Sequence, residues 1–241
     1  MQTTLPQGEG DLDPARCHHS PLEGESKSLC DFGGGLKITK EDLFYYIYGL
    51  LHSEDYKQKF ADNLSKELPR IPCVKKIADF WKFSKAGQAL ALLHIDYEKV
   101  EPFAATIKAD FEVGLGSPYL GGASFRQETM GVNNFELTKM KFAKSGKEMD
   151  KTKVIYNHKI TIENIPLSAF DYVVNGKSAI EWVMERQGIS THKESGIKND
   201  ANKFAIDTMQ NPRYPLDLLL RIITVSLETM KIVKALPRLE I

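Results

Sequence analysis

One long apolar segment with a helical period limits the possible folds of this chain most strongly. Residues 215–235 read PLDLLLRIITVSLETMKIVKA. Apolar side chains recur in it at Leu216, Leu219, Leu220, Ile223, Leu227 and Met230. This spacing predicts an amphipathic helix of about six turns, and Pro215 fits its first turn, where a missing backbone donor is tolerated. With 42% hydrophobic residues among 241, the chain can bury a substantial core around such a helix.

Helical patterns also occur earlier in the chain. A first helix is predicted from about Thr39 to Ser53. Its apolar face consists of Leu43, Phe44, Ile47, Leu50 and Leu51. A second helix stacks Tyr56, Phe60 and Leu64 and ends at LPRIP, residues 68–72, because proline removes a backbone donor and restricts the residue before it. The two helices are predicted to form a helical hairpin.

The middle of the chain changes from a helical period to a period of two. A third helix is predicted from about Val74 to Tyr97, with His94 at the edge of the core. Residues 101–135 are rich in Gly, Ser and Asn and are predicted to be a long loop. Alternation then predicts two or three antiparallel strands, with Asn157-His158 turning a hairpin. The alternating positions are Thr138, Met140, Phe142, Val154, Tyr156, Ile160 and Ile162.

Two more helices are predicted before the last one, in LSAFDYVV (167–174) and SAIEWVMERQ (178–187). Asn175-Gly176 tolerates left-handed backbone and is predicted to end the first of these, while Gly188 closes the second. The predicted fold class is therefore α+β, with a helical hairpin and long helices packed with a small antiparallel sheet.

Residues 1–35 differ in composition from the rest. They combine Gly, Pro, Ser and charged residues with few branched apolar side chains, so they bury too little surface to offset the entropy of ordering. They are predicted to be a disordered tail, and residues 36–241 one folded domain. Cys17, His18 and His19 lack a second pair of ligands, so no metal site is predicted.

Charge and cysteine content restrict the possible partners and location. The 32 Lys and Arg residues balance the 32 Asp and Glu residues, so any affinity for nucleic acid has to come from a local patch. Three irregularly spaced cysteines are typical of a reducing compartment. No apolar run reaches the roughly 18 to 20 residues of a membrane span. The sequence thus predicts a soluble cytoplasmic protein without membrane contact.

Asn211-Pro212-Arg213-Tyr214 matches three positions of the Asn/Asp/Ser-Pro-Pro-aromatic signature of amino-methylating DNA methyltransferases. There the Asn accepts from the target amino group and the aromatic ring stacks on the flipped base. In this chain the preceding NKFAIDTMQ is not an apolar strand, and no glycine-containing loop for S-adenosylmethionine follows a strand upstream. The motif is therefore predicted to start the long helix, with no catalytic residue and no cofactor.

Three longer runs carry a family resemblance. FWKFSKAGQALALLHIDYE (80–98), YVVNGKSAIEWVMERQGISTHKESGIKND (172–200) and NPRYPLDLLLRIITVSLETMKIVKALP (211–237) resemble the C-terminal specificity domain of Type ISP restriction-modification enzymes, often labelled predicted helicases. The resemblance covers about residues 38–237. It implies target recognition, since in that family a nuclease, a helicase-like ATPase, a methyltransferase and a DNA-reading domain share one polypeptide. Because the three catalytic parts of the family pattern are not recognised in these residues, the resemblance leads us to expect either a recognition domain expressed alone or the remnant of an interrupted gene.

A basic segment supports contact with DNA. Seven lysines lie between residues 139 and 159, against Glu148 and Asp150. They are Lys139, Lys141, Lys144, Lys147, Lys151, Lys153 and Lys159. Lysines on strands can contact phosphates, or they can keep a sheet soluble and block edge pairing.

A second polar cluster lies in a predicted long loop. Its members are Thr191, His192, Lys193, Ser195, Lys198, Asn199 and Asn202. Such side chains can read base edges in the major groove, or the loop can be structural. The residues predicted to contact double-stranded DNA are Lys139, Lys141, Lys153, Lys159, Lys193, Asn199, Asn202 and Arg213.

The predicted function is DNA sequence recognition within a restriction-modification system. The chain, non-catalytic by itself, would direct methyltransferase and motor-nuclease parts to their target. Two alternatives stay open: an autonomous S-adenosylmethionine-dependent DNA adenine methyltransferase that uses Asn211 and Tyr214, or a helical interaction domain that does not bind DNA.

Overall fold

The computed structural model describes residues 37–64, 69–109 and 134–241. Glu41–Ile241 forms one compact unit, which contains the described helices and strands apart from Lys40, the first helical residue. The predicted disordered tail, residues 1–35, lies outside the described residues, as does most of the predicted loop at 101–135.

Seven α-helices and eight β-strands occur in the described residues, and the α+β fold class is confirmed. The helices are α1 (Lys40–His52), α2 (Glu54–Lys59), α3 (Ala61–Leu64), α4 (Ile77–Ile95), α5 (Ala179–Arg186), α6 (Ala201–Asp207) and α7 (Tyr214–Lys234). The strands are β1 (Thr106–Ala109), β2 (Lys141–Ser145), β3 (Glu148–Ile155), β4 (Ile160–Glu163), β5 (Val173–Val174), β6 (Lys177–Ser178), β7 (Ile189–Thr191) and β8 (Lys198–Asp200).

Four strands form an antiparallel sheet in the order β1-β4-β3-β2. Val154, Ile160 and Ile162 are fully buried on its inner face, as their alternation predicts. The predicted hairpin at Asn157-His158 is confirmed. Its turn is held by the Asn157 side chain, whose Oδ1 accepts from the backbone N–H groups of Lys159 and Ile160 at 2.9 and 2.8 Å.

The long helix α7 is confirmed and lies against α4, α5 and α6. Its apolar face joins the inner face of the sheet in one core. The α7 residues in that core are Leu216, Leu219, Leu220 and Ile223, all fully buried. Burial of so many leucine and isoleucine side chains stabilises the fold by about 1.5 to 3 kcal/mol each before entropy is counted, which explains why this segment organises the domain.

Helices α1 and α4 cross at two glycines. A Cβ atom on Gly49 or Gly87 would clash with the backbone carbonyl oxygen of Phe83 or Tyr45 respectively, so the two backbones lie in direct contact. Beside the crossing, Tyr46 stacks on Phe80 with ring centroids 4.7 Å apart. The close crossing fixes α1 on α4 and, through α4, on α7.

Two predictions from the helical region are wrong in detail. The second predicted helix is broken into α2 and α3 at Phe60, whose backbone leaves the helical conformation with φ of −113° and ψ of 22° and caps α2 by donating to the Tyr56 carbonyl oxygen. Asn175-Gly176 does not end a helix but turns the β5–β6 hairpin, with φ of 50° and 82°. Both residues accept the left-handed backbone that a two-residue hairpin turn needs, and the preceding LSAF forms a 3-10 turn.

Two predicted loops also contain strands. Thr106–Ala109, inside the predicted loop at 101–135, is β1 and pairs with β4. The predicted loop around residues 191–202 is a β-hairpin of β7 and β8 followed directly by α6. Alternation over three or four residues is a weak signal, and in these two segments it is embedded among Gly, Ser, Asn and charged residues.

Candidate nucleic-acid interface

Lys139 and Lys141 are both exposed. They lie in residues 139–145, which comprise β2 and the two residues before it and are called the lysine-bearing strand. Lys141 is the first residue of β2 and lies opposite Ile155 of β3. Lys139 forms an antiparallel bridge with Gly188, just before β7. Within the part of the chain that the structure describes, neither side chain forms an ion pair, and Lys139 acts on the Glu185 carboxylate of α5 through its charge without a hydrogen bond. Both side chains are exposed to an external anion.

Lys153 is on the solvent-facing side of β3 and shares a partner with Lys108 of β1. Both donate to the Glu163 carboxylate of β4, at 3.3 Å and 2.8 Å. The hydrogen bond from Lys108, then that from Lys153, lowers the pKa of Glu163 although partial burial opposes the shift. Lys108 was not among the predicted contacts, since its strand lies within the predicted loop; the alternation in Thr106-Ile107-Lys108 was the available signal.

Lys159 takes part in the turn between β3 and β4. Its Nζ donates to Asn134 Oδ1 at 2.8 Å, and the neighbouring Asn157 Nδ2 donates to the carbonyl oxygens of Asn134 and Glu136. This network ties the turn to the segment that leads into β2.

The β7–β8 hairpin projects the second predicted cluster into solvent. All residues from Ser190 to Asn199 are exposed. Lys193 lies at the tip, next to a turn in which His192 Nδ1 and Ser195 Oγ are 3.0 Å apart. Asn199 lies on β8 opposite Ser190 and donates through Nδ2 to the Arg186 carbonyl oxygen at 3.2 Å. The hairpin is therefore a two-stranded ribbon with polar side chains on both strands.

The structure brings this hairpin and the lysine-bearing strand together. Ile189 N–H donates to the Thr138 carbonyl oxygen at 2.9 Å, and a Cβ atom on Gly188 would lie 2.9 Å from that same oxygen. The Asn202 side chain accepts from Leu137 N–H at 2.9 Å and donates to the Leu137 carbonyl oxygen at 2.8 Å. Residues 137–139 are thus fixed against both ends of the hairpin.

Arg213 is placed differently from the other predicted contacts. Its side chain is 14% exposed, and its Nε donates to Asp217 Oδ1 at 2.7 Å at the start of α7. Asn211 Oδ1 accepts from the Arg213 backbone N–H at 3.0 Å. Arg213 therefore neutralises a buried carboxylate, and the strand lysines lie on another element.

The residues of the methyltransferase-like motif are also used internally. Tyr214 is 7% exposed, and its hydroxyl donates to Glu98 Oε1 at 2.7 Å. Burial, together with the hydrogen bond to Glu98, raises the pKa of Tyr214. Within residues 37–64, 69–109 and 134–241, no three His, Cys, Asp or Glu side chains are grouped as metal ligands, and no helix there is long and apolar enough to cross a membrane.

Comparisons with known proteins agree with the resemblance. A family model described as the Type ISP C-terminal specificity domain matches residues 18–218. No curated protein matches the chain.

Several solved structures match it, including the following three. A nuclease-deletion mutant of the Type ISP restriction-modification enzyme LlaGI, in complex with a DNA substrate mimic, shares 37% identity and a TM-score of 0.66 over 85% of this chain and 14% of that chain. The ATP-dependent Type ISP restriction-modification enzyme LlaBIII bound to DNA shares 36% identity with a TM-score of 0.67, over 85% of this chain and 12% of that chain. A DrdV–DNA complex shares 29% identity with a TM-score of 0.63, over 85% of this chain and 18% of that chain. The chain thus spans less than a fifth of the length of each of these proteins.

Proposed function

We propose a function for this chain on the basis of its family. The chain belongs to the family of Type ISP C-terminal specificity domains, whose model matches residues 18–218. The proposed function is recognition of a sequence in double-stranded DNA, without catalysis by this chain itself. The LlaGI structure contains a DNA substrate mimic and the LlaBIII structure contains DNA, which supports the choice of ligand.

The observation that carries the proposal is the junction between the lysine-bearing strand and the β7–β8 hairpin. The Lys139–Gly188 bridge holds exposed lysines next to a projecting polar ribbon. Contacts to phosphates position a protein on DNA, whereas contacts to base edges specify the sequence. One surface therefore offers both classes of contact side by side.

We assign phosphate contact first to Lys139 and Lys141, whose ammonium groups are exposed, and next to Lys153. The β7–β8 ribbon would enter the major groove, which is wide enough for two strands. Lys193 at the tip can donate to guanine acceptors. Asn199 can form a bidentate pair with adenine when its Nδ2 exchanges the Arg186 carbonyl oxygen for the base.

Lys159, Asn202 and Arg213 remain predicted DNA contacts, although each side chain is already hydrogen-bonded within the fold. Each already donates to an internal acceptor, namely Asn134, Leu137 or Asp217. Lys159 and Arg213 have further N–H donors that can reach a phosphate. Asn202 uses both its amide oxygen and its amide nitrogen, so a base contact by Asn202 would have to replace these hydrogen bonds, and a buried group left unpaired costs about 1 to 3 kcal/mol.

The proposed partners, besides DNA, are methyltransferase and helicase-nuclease parts of a restriction-modification system. LlaGI and LlaBIII are restriction-modification enzymes of which this chain spans 14% and 12%. The chain would bind the target sequence in the cytoplasm, where bacterial DNA lies, and would thereby direct such parts to it. The non-DNA-binding interaction domain is the competing proposal.

Binding to a labelled duplex, measured by fluorescence anisotropy between 50 and 200 mM salt, tests the proposal. We expect binding at low salt that weakens by about 10²-fold or more across this range if four or more phosphates are contacted. No binding at 50 mM salt and high protein concentration would contradict DNA recognition and favour an interaction domain.

A further inference from the structure

Glu163 occupies a central position on the solvent-facing side of the sheet. Its strand β4 lies between β1 and β3, and Glu163 is opposite Thr106 of β1. The preceding residue, Ile162, is fully buried, so the alternation of a strand places Glu163 on the other face. Side chains of both neighbouring strands can therefore reach its carboxylate.

Two lysines converge on this carboxylate from opposite sides. Lys108 Nζ lies 2.8 Å from Oε2 and Lys153 Nζ lies 3.3 Å from Oε1. The Glu163 side chain is only 15% exposed, whereas those of Lys108 and Lys153 are 66% and 43% exposed. The two ammonium groups thus cover the carboxylate and remain accessible from solvent.

The charge on this part of the sheet is unbalanced in favour of lysine. Around Glu163, the solvent-facing side of the four-stranded sheet carries Lys108 of β1, Lys141 of β2 and Lys153 of β3. Asp150 of β3 is a second carboxylate near Lys153: its pKa is lowered by hydrogen bonds from Thr152 and to a smaller extent by the charge of Lys153. Three lysines thus face two carboxylates, and Glu163 is the one that forms ion pairs with two of them. A phosphate that approached Lys108 or Lys153 would have to compete with an acceptor that is already in place.

We propose that Glu163 is an internal counter-ion that competes with DNA phosphates for Lys108 and Lys153, and that it thereby limits sequence-independent binding. This inference rests on the proposed DNA-binding function. Binding to arbitrary DNA is almost entirely electrostatic, so a carboxylate that reduces the charge of the phosphate-contacting face weakens it directly. Specificity is a difference between two affinities, and lowering the non-specific one increases discrimination without any new contact to a base.

Replacement of the carboxylate by an amide tests this role. Glu163→Gln keeps the shape of the side chain and an acceptor oxygen but removes the charge. We expect affinity for a non-cognate duplex to rise roughly fivefold at 100 mM salt, and the slope of log K against log salt to steepen by about 0.9, as for one additional effective charge. The gain should vanish when Lys108 and Lys153 are also replaced by Ala, because the competing groups are then absent.

Glu228→Gln is the matched control. It removes the same formal charge from an exposed ion pair with Lys231 on α7, at 3.2 Å, and should leave DNA affinity and salt slope unchanged. An unchanged affinity and slope in Glu163→Gln, or an equal gain in Glu228→Gln, would overturn the inference while DNA binding itself stands. Failure of the wild-type chain to bind any duplex would instead contradict the proposed function, and the inference with it.

Discussion

The side-chain amide of Asn202 hydrogen-bonds both backbone groups of Leu137, which lies 65 residues earlier in the chain. Leu137 is fully buried, so its backbone N–H and C=O groups depend on this amide for their hydrogen bonds. The pair connects the first turn of α6 to the segment that leads into β2. It makes Asn202 a residue that positions the β7–β8 hairpin against the lysine-bearing strand.

Asn202→Ala should therefore destabilise the domain. The change leaves the buried N–H and C=O groups of Leu137 unpaired, at a cost of about 1 to 3 kcal/mol in the free energy of unfolding. Asn199→Ala, on the exposed face of β8, is the control and should change this free energy by less than about 0.5 kcal/mol. Denaturant unfolding measures both. Unchanged stability of Asn202→Ala, with preference relaxed at one base pair, would instead make Asn202 a direct base contact.

Combined replacement of Lys139, Lys141 and Lys153 by Ala should weaken association with all DNA sequences alike. Each lost phosphate contact flattens the slope of log K against log salt by about 0.9. The matched control replaces Lys76, Lys99 and Lys231, which form exposed ion pairs with Glu240, Asp96 and Glu228. If the two triple variants behave identically, net charge rather than a defined face determines binding.

Stability should fall as the pH drops below about 6.5 because of His94. Burial, and to a smaller extent the nearby His52, lowers the pKa of His94 to about 4. Tyr48 Oη and Thr229 Oγ1 lie 2.7 and 2.8 Å from its two ring nitrogens. His94 binds a proton near the ordinary histidine pKa in the unfolded chain but not in the folded chain. Its contribution to the free energy of unfolding is therefore fully present above this pKa and decreases as the pH falls towards 4.

The measurable consequence is a loss of about 1 kcal/mol in the free energy of unfolding between pH 7 and pH 5, after allowance for solvent screening. His94→Gln removes the titrating ring and should flatten this dependence, although it also lowers stability at pH 7. His158→Gln, on the exposed β3–β4 turn, is the control and should keep the wild-type profile. A wild-type profile in His94→Gln would assign the pH dependence to another group.

The purified chain should transfer no methyl group to DNA. The Asn211 side chain accepts from the Arg213 backbone, and the Tyr214 hydroxyl donates to Glu98, so both side chains serve the start of α7. Tyr214→Phe should cost about 1.5 to 3 kcal/mol of stability, because it removes a hydrogen bond to a charged group. Tritium incorporation into DNA from labelled S-adenosylmethionine, abolished by Asn211→Ala, would restore the methyltransferase alternative.

Long periodic segments could be predicted from the sequence, and short or locally ambiguous ones could not. The helical period of α7 extends over 21 residues, so that packing and pattern agree. Asn175-Gly176 is equally suited to a helix end and to a hairpin turn, and only the pairing of Val173 with Ser178 distinguishes them. Phe44 fits the predicted apolar face of α1 but is 59% exposed, because Tyr46 and Gly49 face α4 instead.

The sequence indicated which residues belong to the candidate site but not how they are arranged in space. The lysines of residues 139–159 and the polar cluster at 191–202 are evident in the sequence, yet their contact depends on the bridge between Lys139 and Gly188. The position of Glu163 between Lys108 and Lys153 likewise depends on the strand order β1-β4-β3. Such contacts between distant segments follow from the tertiary fold, which local patterns do not specify.

Selection from a randomised duplex pool tests sequence recognition most directly. The wild-type chain should enrich one defined sequence at low salt. Combined replacement of Lys193 and Asn199 by Ala should abolish this enrichment while most of the low-salt affinity remains, since each good base contact discriminates by about 1 to 3 kcal/mol. Binding of the wild-type chain without any enriched sequence, or no binding at all, would contradict the account.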